Sequence, residues 1–460
     1  MRDQTLVTNR LNTMKKQKKI VSIMLLALSG IYFFSFFQRV AIPGTIFNDL
    51  QREFSLSAAE VTRLSAIYLF IYAALQPFAG ILADRFGGIK IALLSGGLLC
   101  AGTVFFALSH NITELYLSRA LVGLGAAAIY LCLMKEAACS FSGKNFATIV
   151  GIICLIGYGG GLVGTRPFRM MVEWYGWRNS CLLIASFSGV ILLFTFFMAR
   201  KIKREDCIKG NAHILSGIIA VCKQGSNYPI LISWSVCFAA YFSVQSIIGA
   251  KFLEDLCMIT PLQSSNYTFI MMLVTMATLF LSGFVSRFFN NNRKGFLVMA
   301  SVSASFAMAI FLVGACIKMS ALYFLPAYIL LAVACGISPV VTALIAENNP
   351  PSAVAGAIGL LNTATYVMVA VFAQITGLIL DIFKTSSHDV GTSLVYSPQA
   401  YIMFFFVMEI LTFLAVIFSF CSRETYGQNI YKGPNNITFN KQHLIARTLE
   451  SERSNVFSAK

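Results

Sequence analysis

Between residues 20 and 421 the chain alternates long apolar stretches with short polar ones. Each stretch runs about 18 to 28 residues, enough to cross a hydrocarbon core of roughly 30 Å as a helix. Twelve spans are predicted: Ile20–Gly44, Val61–Ala83, Ile89–Leu108, Leu115–Ala138, Ala147–Met170, Cys181–Ala199, Pro229–Phe252, Tyr267–Val285, Gly295–Ile317, Leu322–Ala346, Ala355–Leu380 and Ala400–Cys421. They are apolar all round and lack the period-two alternation of barrel strands, so the fold class is an all-α membrane protein with twelve transmembrane helices. The most polar internal stretch, residues 200–228, divides six spans from six. The expected domains are an N-terminal tail (1–19), an N-terminal half (20–199), a linker (200–228), a C-terminal half (229–421) and a C-terminal tail (422–460).

Composition agrees: 57% of the 460 residues are hydrophobic and 12% charged. The net charge of +16 comes from basic residues that fall on one side of the predicted topology, about two dozen there against about four in the opposite loops, which places both termini in the cytoplasm. That charge therefore faces lipid headgroups, and no soluble basic domain exists to bind nucleic acid. The first apolar run is too long for a cleaved signal and is kept as a span. The 12 cysteines contain no C-x-x-C pair and read as small packing residues, so neither metal nor cofactor is expected. All four histidines, at 110, 213, 388 and 443, fall in loops or tails. With no H-E-x-x-H pattern either, nothing points to an enzyme.

The halves resemble each other. "GILADRFGGIK" follows the second span and "GFVSRFFNNNRK" the eighth, while "ATIVGIICLIGY" in the fifth matches "AGAIGLLNTATY" in the eleventh. That alignment pairs Gly151 with Gly359, Cys154 with Asn362 and Tyr158 with Tyr366, so two six-helix repeats are implied. The first of these stretches resembles the G-x-x-x-D-R-x-G-x-x-[RK] signature of the major facilitator superfamily. Arg119 in "SRALVGLGAA" and the glycines of "GYGGGLVG" are similar to further motifs of that superfamily. The resemblance covers about residues 20–425. It implies two pseudo-symmetric halves rocking about a site near the membrane midplane, with Asp84, Arg85 and Gly87, and Arg287 in the second repeat, as gating parts and Arg119 as a coupling or structural residue.

Charges within apolar spans are costly, about 2.5–3.5 kcal/mol each on insertion scales, so they mark cavities or partners. Arg39, Arg63, Arg119, Lys135, Arg166, Arg169 and Lys251 remain once loops and tails are removed. Arg63, Arg169 and Lys251 lie near enough to helix ends to snorkel. Tyr32, Ser35 and Arg39 form one polar stripe on an aromatic helix, and a guanidinium there suits a carboxylate or phosphate. An internal network or snorkelling are the structural alternatives. "FQRVAIPGTIFNDLQREFSLS" resembles the organic-anion branch of the superfamily, in which an Arg at this place engages the substrate. This chain has Gln38 and Ala126 where that branch often carries acids.

Gln38 and Tyr32 are expected at the substrate with Arg39. So are Trp234, Tyr241 and Gln245 on one face of the seventh span, and Asn362 with Tyr366 on one face of the eleventh. Glu409 is the carboxylate that falls mid-span, as a proton carrier or a protonated structural group. "CGISPVV", with Gly336 and Pro339, predicts a break in the tenth span.

Basic residues outnumber acids inside the spans, which favours an organic anion or amino acid as cargo. Moving one negative charge inward against the membrane potential costs about 2.3 kcal/mol per 100 mV, so uptake needs a co-transported proton or an exchanged anion. The expectation is a monomeric, proton-coupled uptake transporter of a bacterial inner membrane. Anion exchange, drug export and, remotely, a non-transporting sensor stand behind it.

Overall fold

The computed structural model describes residues 2–141, 144–201, 221–384, 388–390 and 393–431, with side chains from residue 20 onward except at 77, 81, 84, 144–148, 352, 355 and 388–393. Its first six long helices are α1 (Arg2–Ala41), α2 (Ala58–Phe86), α3 (Gly88–Leu108), α4 (Ile112–Ser140), α5 (Lys144–Val163) and α6 (Arg166–Arg200). The second six are α7 (Tyr228–Ser243, continued through Val244–Ile248 to Gly249–Cys257), α8 (Pro261–Phe288), α9 (Arg293–Cys316), α10 (Leu325–Gly336 and Ser338–Glu347), α11 (Val354–Ile382) and α12 (Pro398–Phe420). Eleven apolar spans long enough to cross a membrane lie among the described residues, and Ile149–Val163 in α5 is a shorter apolar helix.

Local chemistry sets the irregularities. Pro339 offers no N–H and crowds the preceding turn, and α10 breaks at Ile337, inside the stretch where the sequence predicts it. α7 widens into a π-helical turn over Val244–Ile248. Gly176, at φ +75°, kinks α6 ahead of the predicted sixth span. The small residues of "GLGAA" let α4 press on α3: a Cβ on Gly125 would lie 2.6 Å from the Ser95 carbonyl oxygen. A two-stranded hairpin that the sequence did not announce, β1 (His388–Val390) and β2 (Ser393–Val395), lies between α11 and α12.

On the face away from the two tails the halves are tied together. Asn48 Nδ2 donates to Glu254 Oε2 at 2.6 Å, and Gln51 Nε2 donates to the Tyr396 hydroxyl at 2.9 Å. The backbone N–H groups of Ala58 and Ala59, the first turn of α2, donate to the two Asp381 oxygens at 2.8 and 3.0 Å. A carboxylate of one half thus caps a helix of the other. Burial pushes the Tyr396 phenol above its ordinary value, so it remains a neutral hydroxyl.

On the tail face each half is braced within itself. Gly87, at φ +92°, caps α2, and Lys135 donates to the Ala83 carbonyl at 2.8 Å. A Cβ on the next residue, Gly88, would run into the Glu136 carboxylate. In the second half Arg293 donates to Ser286 at 2.8 Å and to Glu347 at 3.3 Å, while Glu424 accepts the N–H groups of Arg293 and Lys294 at 2.8 Å each. The segment just after α12 therefore packs on the second half.

Candidate functional site

Two communicating chambers lie between the halves. The larger, of about 510 Å³, is lined from the tail-side portions of α5, α8, α10 and α11, including Gly151, Phe280, Thr342 and Ile358, so it opens toward the tail face. The smaller, of about 70 Å³, lies beyond it against α7, where Trp234, Phe238, Tyr241, Phe242 and Gln245 form its wall. Phe36, Arg39, Tyr158, Asn362 and Tyr366 line both and make the neck between them.

Arg39 is 3% exposed. Its Nη1 donates to the Tyr366 hydroxyl at 2.6 Å, and its guanidinium carbon stands 4.6 to 5.0 Å from the ring centres of Phe36, Tyr72 and Tyr366. Those faces attract the cation without neutralising it. Its Nε and Nη2 are buried and have no hydrogen-bond partner. These two nitrogens form the side-on edge of the guanidinium, the edge that grips a carboxylate with two parallel bonds. No Asp or Glu among the described residues lines either chamber.

Tyr32 lines the larger chamber, Trp234, Tyr241 and Gln245 the smaller, and Asn362 and Tyr366 both. Gln245 Nε2 donates to the Thr268 carbonyl at 3.1 Å and its Oε1 is buried without a partner. Gln38 is a correction. Neighbouring residues on a helix point about 100° apart, and Gln38 turns away from the chambers, donating to Thr103 at 3.1 Å and accepting from Arg119 at 3.2 Å.

Arg119 is fully buried, and four oxygens receive it: Gln38 Oε1 at 3.2 Å and the carbonyls of Leu64, Gln38 and Ile42 at 3.3, 3.3 and 3.4 Å. It reaches neither chamber. Glu409 accepts from Ser305 at 2.9 Å between α12 and α9, also away from the chambers.

Lys251 does not snorkel. It pairs with Asp255 at 2.7 Å and donates to the Leu394 carbonyl at 2.6 Å. Arg169 likewise pairs with Asp49 at 2.6 Å. Of the expected gating residues, Arg85 is exposed and lies over the Phe86 ring at 5.4 Å, and the Asp84 side chain lies outside the described residues. Arg287 is exposed at the end of α8, and the residue that engages α10 is Arg293 instead.

Sequence reasoning overlooked Tyr72, Phe238, Glu254 and Asp381. Tyr158 was within reach, since the internal repeat pairs it with Tyr366 and both stand at the neck.

The family model described as Major Facilitator Superfamily matches residues 28–373. Among curated relatives, Monocarboxylate transporter 2 of Mesocricetus auratus is 26% identical over 34% of this chain and 33% of its own. The uncharacterized MFS-type transporter YhcA of Bacillus subtilis is 22% identical over 48% of this chain and 43% of its own, and Multidrug resistance protein Stp of Mycobacterium tuberculosis is 25% identical over 38% and 32%. The chain thus spans a third to less than half the length of the curated relatives it matches. A crystal structure of a bacterial homologue of the human lysosomal transporter Spinster, inward-facing and unoccupied, superposes with a TM-score of 0.70 at 17% identity, covering 90% of this chain and 99% of that one. The nucleoside transporter NupG superposes with a TM-score of 0.70 at 13% identity, over 86% and 99%.

Proposed function

The chain belongs to the Major Facilitator Superfamily, and on that premise we propose that it is a membrane transporter that carries a small organic anion, docked on the free edge of Arg39, by alternating access with proton-coupled uptake. The observation that carries this reading is the pair of unpartnered, buried nitrogens of Arg39 in chambers that no acid among the described residues lines. A buried cation with open donors is costly, and an incoming carboxylate supplies both the charge and the acceptors. Among the described residues no carboxylate lines the chambers, which favours a plain acid over an amino acid, because an ammonium group would find no counter-charge there. The partial likeness to Monocarboxylate transporter 2 points the same way.

The closed far face and the chamber open at the tail face describe a carrier ready to exchange cargo on the tail side. The positive-inside pattern supports a cytoplasmic tail side. Anion-for-anion exchange is the second reading, since a fixed cation serves it equally. The likeness to Multidrug resistance protein Stp would suggest drug export, yet Arg39 repels cationic drugs.

The test is ligand-induced thermal stabilisation of the purified protein and of Arg39→Gln, against monocarboxylates, dicarboxylates, sugar acids, phosphate esters, amino acids and cationic dyes. A ligand at 100 times its Kd adds about 2.7 kcal/mol. An organic anion should stabilise the wild type and lose its effect on the folded variant. Equal stabilisation of both by neutral or cationic compounds would sink the anion reading.

A further inference from the structure

We propose that Gln245 is the second recognition point of the cargo site, and that the anion it selects carries a neutral hydroxyl close to its carboxylate; this deepens the anion reading and rests on it. The polar atoms of the smaller chamber carry the inference. In its wall, Arg39 Nε, Arg39 Nη2 and Gln245 Oε1 are buried and have no hydrogen-bond partner. In the wall of the larger chamber, the two Arg39 nitrogens alone are in that condition among the described residues. Two donors on a cation and one neutral acceptor call for a ligand with the reverse set, a carboxylate and one O–H.

Local structure places Gln245 for this. It sits in the π-helical turn of α7, where the Gly249 N–H donates to the Val244 carbonyl, and such turns recur at functional sites. Its Nε2 is committed to the Thr268 carbonyl of α8 at 3.1 Å, so the oxygen is the end of the amide left for the chamber. The turn also rests on the first half. A Cβ on Gly44, in the turn that follows α1, would lie 2.6 Å from the carbonyl oxygen of Ser246, the residue next to Gln245. Glycine permits that approach. A cargo held by Arg39 and Gln245 therefore bridges the two halves while the far face is closed.

Tyr241, Thr365 and Tyr366, in the same wall, already have partners: Thr275 donates to the Tyr241 hydroxyl at 3.2 Å, Thr365 meets Ser235 at 3.5 Å, and the Tyr366 hydroxyl accepts from Arg39. The missing donor is a hydroxyl rather than an ammonium, since no Asp or Glu among the described residues lines either chamber. Volume limits its distance from the carboxylate. The smaller chamber, of about 70 Å³, has room for about two waters at roughly 30 Å³ each, so the fragment that bears the hydroxyl is short. A bulkier remainder of the cargo has the larger chamber, of about 510 Å³, to occupy. A keto group in place of the hydroxyl would set acceptor against acceptor and gain nothing.

Titration calorimetry on the purified full-length protein tests this with butanoate, 2-hydroxybutanoate, 3-hydroxybutanoate and 2-oxobutanoate. The wild type should bind one of the hydroxy acids about tenfold more tightly than butanoate, and 2-oxobutanoate no more tightly than butanoate. In Gln245→Met the preference should vanish while butanoate is still bound. Gln245→Asn, which keeps the amide but withdraws it by one methylene, should lose the preference too. Equal Kd values for butanoate and both hydroxy acids in the wild type overturn the proposal. So does a preference that persists in Gln245→Met or, should that variant fail to fold, in Gln245→Asn. Butanoate bound by the wild type and lost in Arg39→Gln, with no hydroxyl preference, overturns the role of Gln245 alone; no carboxylate bound by the wild type overturns the anion reading and this one with it.

Discussion

Arg39 and Arg119 are both buried, both sit on aromatic faces and neither has a salt-bridge partner among the described residues, yet their surroundings differ in one respect. Arg119 is met by four oxygens from α1, the turn that follows it and α2, and lies 4.7 Å from the Tyr68 ring centre. Arg39 has one oxygen and two bare nitrogens beside a cavity. A buried guanidinium whose donors are satisfied by the protein joins helices together, whereas one whose donors are left over is waiting for something else. Sequence alone shows both as intramembrane arginines; only the count of acceptors around each separates scaffold from site.

The strongest way to break this contrast is Arg119→Leu. It strands several buried carbonyl acceptors, each costing about 1–3 kcal/mol, so folded yield should collapse. Purified Arg119→Leu with the wild-type Tm would show that its bonds hold nothing together. Arg39→Gln should instead keep the wild-type Tm or exceed it while anion affinity falls about 100-fold, or 2.7 kcal/mol, as read by titration calorimetry. Matching loss of stability in both variants would erase the distinction.

Tyr366→Phe sharpens the picture: without the phenol that fixes Nη1, the fork loses its orientation, and anion Kd should rise about tenfold with folding unchanged. A Kd equal to wild type would mean that the three rings alone position Arg39. The smallest effect belongs to Gln38→Leu. It should lower stability by about 1 kcal/mol in a denaturation assay and leave anion affinity untouched, and weakened binding would return Gln38 to the site.

The helices and their division into halves were readable because membrane burial imposes long apolar runs with polar interruptions, and that signal is local. Arg39, Tyr366 and the face of α7 were readable because an unpaired cation or a polar stripe is costly in such a run. Gln38 could have been excluded from the outset, since adjacent helical positions cannot share a face with Arg39. Tyr72 lay hidden among aromatics that serve equally as interfacial anchors. The seam was beyond reach for a different reason. Asn48 and Glu254 are 206 residues apart, and Ala58 and Asp381 are 323 apart, so no local pattern links donor to acceptor and only the docking of the halves reveals the pair.

On the proposed reading, the cation at the neck also gives the carrier a voltage response. An empty Arg39 leaves one uncancelled positive charge at the neck, and a monoanion on its free edge cancels it. The loaded and empty forms then differ by one charge where the halves rock, so a voltage-clamped membrane would show the potential acting differently on the two passages.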